Sequence, residues 1–339
     1  MESRHRFAAF CCAFALIVAS SPRQISSAAE KLDKVRFTYA PLSASGFLWF
    51  IAKDAGYFEK NRLDVDMYFE GASPIMVQSI LAGENQHAGG LGPTVVTNVL
   101  QGGDVIPVAC ITHTFTTPMY VQPSITSLQQ LRGKKVGVSR IGAVSHLTAD
   151  AILRRARVGD VTIIQTGGIP ESMAAMMTGN VDGAMVNPPN NIILREKGFR
   201  EMVGGKQLKE MNLRFPENGV MAKRTWAEKN SDVVKRFIKS LAESLKRMHD
   251  DKEFAIKSLS KYTKVTDAKS LEESYRWGMD SFFKDFKTPP EAMRLMVDQL
   301  ASSRMIDPNL AQKTPLTAYY ENRYVEELEK EGFFKKLWQ

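Results

Sequence analysis

Six short turns hold the residues best suited to chemistry in this chain: Ser43–Gly46, Gly71–Pro74, Gly92–Thr94, Ser139–Ser145, Gly167–Pro170 and Asn187–Asn190. Each joins a stretch that reads as a strand to one that reads as a helix. In an open α/β sheet such turns gather at the carboxyl ends of the strands, where ligands bind. A helix start offers free N–H groups and the positive end of a dipole, which suits an anion. Serine, glycine and proline start helices in many contexts, so one turn alone carries no function. Six in register point to a ligand cleft.

The richest turn lies in KKVGVSRIGAVSH (134–146). The Arg140 guanidinium can grip a sulfonate, carboxylate or phosphate with two parallel hydrogen bonds. The equal alternative is a rim arginine paired with a nearby acid. Ser145 is either an N-cap or a ligand donor. A nucleophile elbow at Ser139 would need Gly-x-Ser-x-Gly, but Ile141 stands where the second glycine belongs, so a hydrolase loses support. His146 and Asp150 share a helix face without a further pair of metal ligands. No phosphate loop and no His-Glu-x-x-His motif occurs. No catalytic residue, metal site or cofactor is therefore expected. Phe47 either packs in the core or walls a pocket.

The elements that must position these turns alternate. Strands are expected at 35–40, 63–69, 105–111, 118–122, 134–138, 161–166, 181–187 and 218–223. Helices are expected at 47–60, 71–84 with Ser73 as N-cap and Pro74 in the first turn, 144–156 and 167–179. Beyond Asn230 the pattern is mostly helical. The reading is α/β, with open, largely parallel sheets.

The 339 residues carry a formal charge of +8, but basic and acidic residues interleave along the chain. That favours a solvated basic surface over nucleic-acid binding. Arg4 and Arg6 precede the apolar run Phe7–Ala19, and Ser26-Ser27-Ala28 or Ser27-Ala28-Ala29 fits a cleavage site. These are the parts of a secretory signal peptide in their proper order. Thirteen apolar residues are too few to span a bilayer comfortably. Lipidation at Cys11 or Cys12 is weaker, because Phe10 and Cys11 precede them where small residues belong. The mature chain is expected to be soluble, periplasmic and monomeric, with no membrane insertion. It keeps only Cys110, so it forms neither an internal disulfide nor a four-cysteine zinc site.

Three segments resemble a known family: AGYFEKNRLDVDM (55–67), SLQQLRGKKVGVSRIGAVSH (127–146) and GNVDGAMVNPP (179–189). They are similar to periplasmic solute-binding proteins of nitrate/sulfonate/taurine-type ABC importers, which are related to thiamine-pyrimidine-synthase-like proteins. The resemblance runs through about residues 34–260. It implies a type II periplasmic-binding-protein fold, two α/β lobes closing on a ligand at a hinge. After a signal peptide at 1–29, lobe one would hold 30–119 and 217–339, and lobe two 120–216. Carried over by position, the ligand-binding residues would be Ser43, Ser45, Phe47, Ser73, Thr94, Arg140, Ser145 and Asn187. Many relatives carry Gly-Ser or Gly-Thr in the second-lobe turn; Gly142-Ala143 lacks that hydroxyl. The pyrimidine-synthase relatives use a cysteine-rich motif, which one cysteine does not supply.

The expected function is capture of a small anionic organic solute (sulfonate, nitrate, carboxylate or pyrimidine-like) and delivery to an ABC permease, without enzymatic activity. The rivals are an enzyme on the same fold and a ligand-sensing module for a membrane receptor.

Overall fold

A computed structural model describes residues 31–40, 42–211 and 214–339. The signal segment, with Cys11 and Cys12, lies outside the described residues. The strands are β1 (Asp33–Tyr39), β2 (Leu63–Phe69), β3 (His87–Gly89), β4 (Val105–Thr114), β5 (Met119–Val121), β6 (Lys135–Val138), β7 (Thr162–Gln165), β8 (Gly183–Met185), β9 (Arg200–Val203) and β10 (Arg214–Lys223). They form two five-stranded sheets, ordered β2-β1-β3-β10-β4 and β7-β6-β8-β5-β9.

The sheets are mixed rather than largely parallel. β1 runs parallel to β2 and β3, and β6 parallel to β7 and β8. β10 is antiparallel to β3 and β4, and β5 to β8 and β9. The antiparallel member of each sheet is the strand that arrives from the other sheet. After β4 the chain crosses over, builds β5 to β9, and returns as β10. The β4–β10 pairing shifts register near Asn218, Gly219 and Val220, which bends and twists the strands there. The other edge of β4 is bonded by a later segment: Phe283 N donates to the Ile111 carbonyl at 2.9 Å, and Cys110 N to the Phe286 carbonyl at 2.8 Å.

The helix Phe47–Asp54 buries its first six residues completely. Its Trp49 ring meets Phe37 of β1 edge-on at 5.8 Å, and Phe37 also touches Phe237 at 5.1 Å. Phe237 sits on the long helix Ser231–Asp250, whose buried Val234, Phe237, Leu241, Leu245 and Met248 recur every three or four residues. That spacing puts one apolar stripe against the first sheet. The helix expected over 47–60 is broken: Gly56 takes φ +70°, and a separate turn runs Tyr57–Lys60. A left-handed residue cannot continue a right-handed helix, and glycine adopts that conformation without strain. Ser73 is the first residue of the helix Ser73–Leu81, with Ala72 at the N-cap position. Among the described residues no helix is long and apolar enough to cross a membrane, and no cluster of three His, Cys, Asp or Glu could hold a metal.

Candidate functional site

A cleft of about 530 Å³, its open mouth included, lies between the two sheets. Helix starts line it from both sides. Ala72 and Ser73 come from the turn after β2, and Ala143, Val144 and Ser145 from the turn after β6. Ile169 opens the helix after β7, and Asn187 follows β8. Thr117, Glu217 and Asn218 come from the crossing segments.

Of the eight residues expected at the site, the structure brings four together here: Ser45, Ser73, Ser145 and Asn187. The Ser73 hydroxyl donates to the Leu91 carbonyl at 2.9 Å. Ser145 Oγ accepts the Ser139 backbone N–H at 3.0 Å and lies 2.8 Å from Ser139 Oγ. The Asn187 amide donates to Ser45 Oγ at 3.2 Å across the cleft, and Asn187 Oδ1 is buried without a partner. Asn218 Nδ2 donates to the Ser45 carbonyl at 2.9 Å.

The other four lie outside the lining. Ser43 is buried, and its Oγ accepts the Ser45 N–H at 3.2 Å, capping the turn Ala44–Gly46. Phe47 belongs to the core of the first sheet. Thr94 Oγ1 donates to the Gly142 carbonyl at 3.0 Å, tying the helix Pro93–Leu100 to the turn after β6. Arg140 is half-buried away from the lining, with its Nε buried and unpartnered. Of the two roles weighed for Arg140, ligand contact or rim pairing, neither shows a partner at its Nε.

Ser139 finds Ser145 and no base. His146 Nδ1 accepts the Gly142 N–H at 3.1 Å, and burial pushes this imidazole's pKa down. His146 ties the turn to the helix that follows.

The residue that sequence reasoning missed is Glu217. Its carboxylate accepts the Thr116 hydroxyl at 2.6 Å and the Thr117 hydroxyl at 3.0 Å. Burial pushes the acid up to about 7 in spite of these hydrogen bonds, which favour the ionised form. The available signal was an acid in LRFPENGVMA between Phe215-Pro216 and the apolar run that begins at Val220. Its two threonine partners stand about a hundred positions earlier.

The walls also touch directly. Ala44 N donates to the Pro188 carbonyl at 2.9 Å. Gly92, at φ +104°, lies against Val144, and a Cβ added there would sit 2.6 Å from Val144 Cγ2. Gly92→Ala is therefore expected to hold the walls apart. Small-angle scattering of the variant should give a larger radius of gyration than the parent. An unchanged radius would mean that Val144 simply rotates away.

The sequence from 47 to 255, more than half of the chain, matches the family model described as NMT1/THI5 like. No match is found among the curated proteins. A Bordetella bronchiseptica RB50 protein superposes with TM-score 0.78 at 17% identity, covering 89% of this chain and 98% of its own. The MOPS-bound alkanesulfonate-binding protein SsuA from Xanthomonas axonopodis pv. citri gives 0.69 at 16% identity, covering 81% and 94%. The periplasmic nitrate-binding protein NrtA from Synechocystis PCC 6803 gives 0.71 at 11% identity, covering 89% of each chain. Two mixed sheets, a double crossing and a cleft between them make this the periplasmic-binding-protein fold, and the chain belongs to the NMT1/THI5-like family.

Proposed function

We propose that this chain is an exported solute-binding protein of an ABC importer. It closes on a small polar molecule and presents it to a membrane permease. The observation that carries the reading is the cleft itself, lined from both sheets by small polar residues and helix starts, with the Asn187–Ser45 hydrogen bond spanning it. Structural neighbours whose names describe alkanesulfonate binding, nitrate binding and a ligand-binding component of an ABC-type import system support it. On this reading lobe one is 30–119 with 217–339, lobe two is 120–216, and residues 1–29 are removed on export to the periplasm. Ser45, Ser73, Ser145 and Asn187 contact the solute. Ser43, Phe47 and Thr94 shape the frame that holds them.

An enzymatic reading finds little support, because Ser139, the serine weighed as a nucleophile, pairs with Ser145 Oγ rather than with a base. The test is a melt of residues 30–339 against a panel of small metabolites, with each hit recovered afterwards. A ligand at a hundred times its dissociation constant adds about 2.7 kcal/mol of stability. Hits recovered unchanged are the expected result. Conversion of a bound compound would replace transport with catalysis.

A further inference from the structure

The geometry points to a solute bearing a protonated nitrogen with N–H hydrogens, an amine or amidine, that docks on the Glu217 carboxylate. This rests on the solute-binding reading above and fixes the chemical class that the cleft takes.

Glu217 is the only ionisable side chain among the lining residues. Among the described lining residues there is no lysine, arginine or histidine, so a bare sulfonate or nitrate would bring a second negative charge beside a buried acid. Such a pair is repulsive wherever water is excluded. The two threonine hydroxyls each take one carboxylate oxygen, and each oxygen keeps acceptor capacity. From the opposite wall, Asn187 Oδ1 is a buried acceptor with no donor, on a residue only 3% exposed. An unsatisfied acceptor on one wall and a carboxylate with spare acceptor capacity on the other ask for a ligand that donates.

The neighbouring titratable group is Cys110 on β4, buried, with its thiol pushed well above its usual range and so neutral. It supplies no countercharge. Burial raises the Glu217 pKa and no charged neighbour offsets it, which is the condition that an incoming cation relieves. No aromatic ring lines the cleft, so there is no cage for a quaternary ammonium. The cation must hydrogen-bond. The helices that begin at Ser73 and Val144 aim positive dipole ends at the same cavity. The molecule can therefore carry an acid group as well as its nitrogen.

The experiment is calorimetric titration of residues 30–339 with matched pairs at pH 7.5. The pairs are taurine with ethanesulfonate, 1,3-diaminopropane with 1,3-propanediol, and acetamidine with acetamide; choline and nitrate complete the panel. At least one N–H cation is expected to bind at least tenfold more tightly than its partner and than choline. Glu217→Gln should weaken it about 10–100-fold, the range for a lost hydrogen bond to a charged group. Circular dichroism and a melt establish that the variant is folded. Glu217→Asp, which keeps the charge, should keep the same ranking at reduced affinity. If ethanesulfonate or nitrate binds as tightly as the nitrogen compounds, and Glu217→Gln leaves that binding intact, the ligand class is overturned while solute binding stands. If nothing in the panel binds, the class is overturned too. A bound compound that is chemically converted would sink the transport reading instead.

Discussion

Glu217→Gln is expected to stabilise the empty protein by about 3 kcal/mol at pH 8 and to leave it nearly unchanged at pH 4. The sign follows from proton binding. The folded-state pKa is about 7, whereas an unfolded glutamate titrates near ~4.3. Between these values the folded state holds more protons than the unfolded chain, so stability falls as pH rises. The acid's relative advantage is complete below about pH 4 and is lost by the time pH has passed through about 7. Glutamine mimics the neutral acid and carries no such slope. Urea unfolding of parent and variant across this range isolates the difference, since every other titrating group is shared. Parallel curves would mean that Glu217 is well solvated in the folded state. The same result bears on the binding experiment, because a variant more stable than its parent does not lose ligand by unfolding.

Gly219→Ala should have an effect of similar size and opposite sign. A Cβ at Gly219 would lie 2.1 Å from the Ala109 carbonyl oxygen and 2.8 Å from Cys110 Cα. Both are backbone atoms of β4, so no side-chain rotation relieves the overlap. The strands must separate where their register already shifts. Overpacking of this kind costs on the order of 3 kcal/mol. The expected result is a lower urea midpoint with an unchanged slope. A midpoint matching the parent's would mean that β4 and β10 can part there at no cost. Gly103 makes the contrast: its added Cβ would meet chiefly the Asn98 side-chain amide, at 2.0 Å, and a side chain has more ways to move.

Local signals in the sequence were read well where local physics decides. The alternation Leu63–Phe69 buries Leu63 and Val65 and exposes Asp64 and Asp66, as a period of two requires. The turns at Ser73, Ser145 and Asn187 reach one cleft because strand-to-helix turns share an end of the sheet. What escaped depends on distant partners. Strand direction in β5 and β10 is set by crossings between sheets, not by their own residues. β9 buries only Val203 fully, so it lacks the apolar rhythm that marks a strand. Glu217 reads as a polar residue beside a proline, and only the fold encloses it. Arg140 was prominent for its charge, yet its side chain lies outside the lining. Chemistry that a residue could perform was legible; the direction it faces was not.

The sheet order β2-β1-β3-β10-β4 also governs biosynthesis. β4 ends at Thr114, but its sheet neighbour β10 begins at Arg214, and its other edge waits for Phe283 and Phe286. Nine of its ten residues are buried in the finished protein. During synthesis this apolar strand therefore has no native neighbour while about a hundred further residues emerge. Open edges of that kind pair with other chains. Completion of the polypeptide, rather than local propensity, then sets the moment at which the first sheet can close.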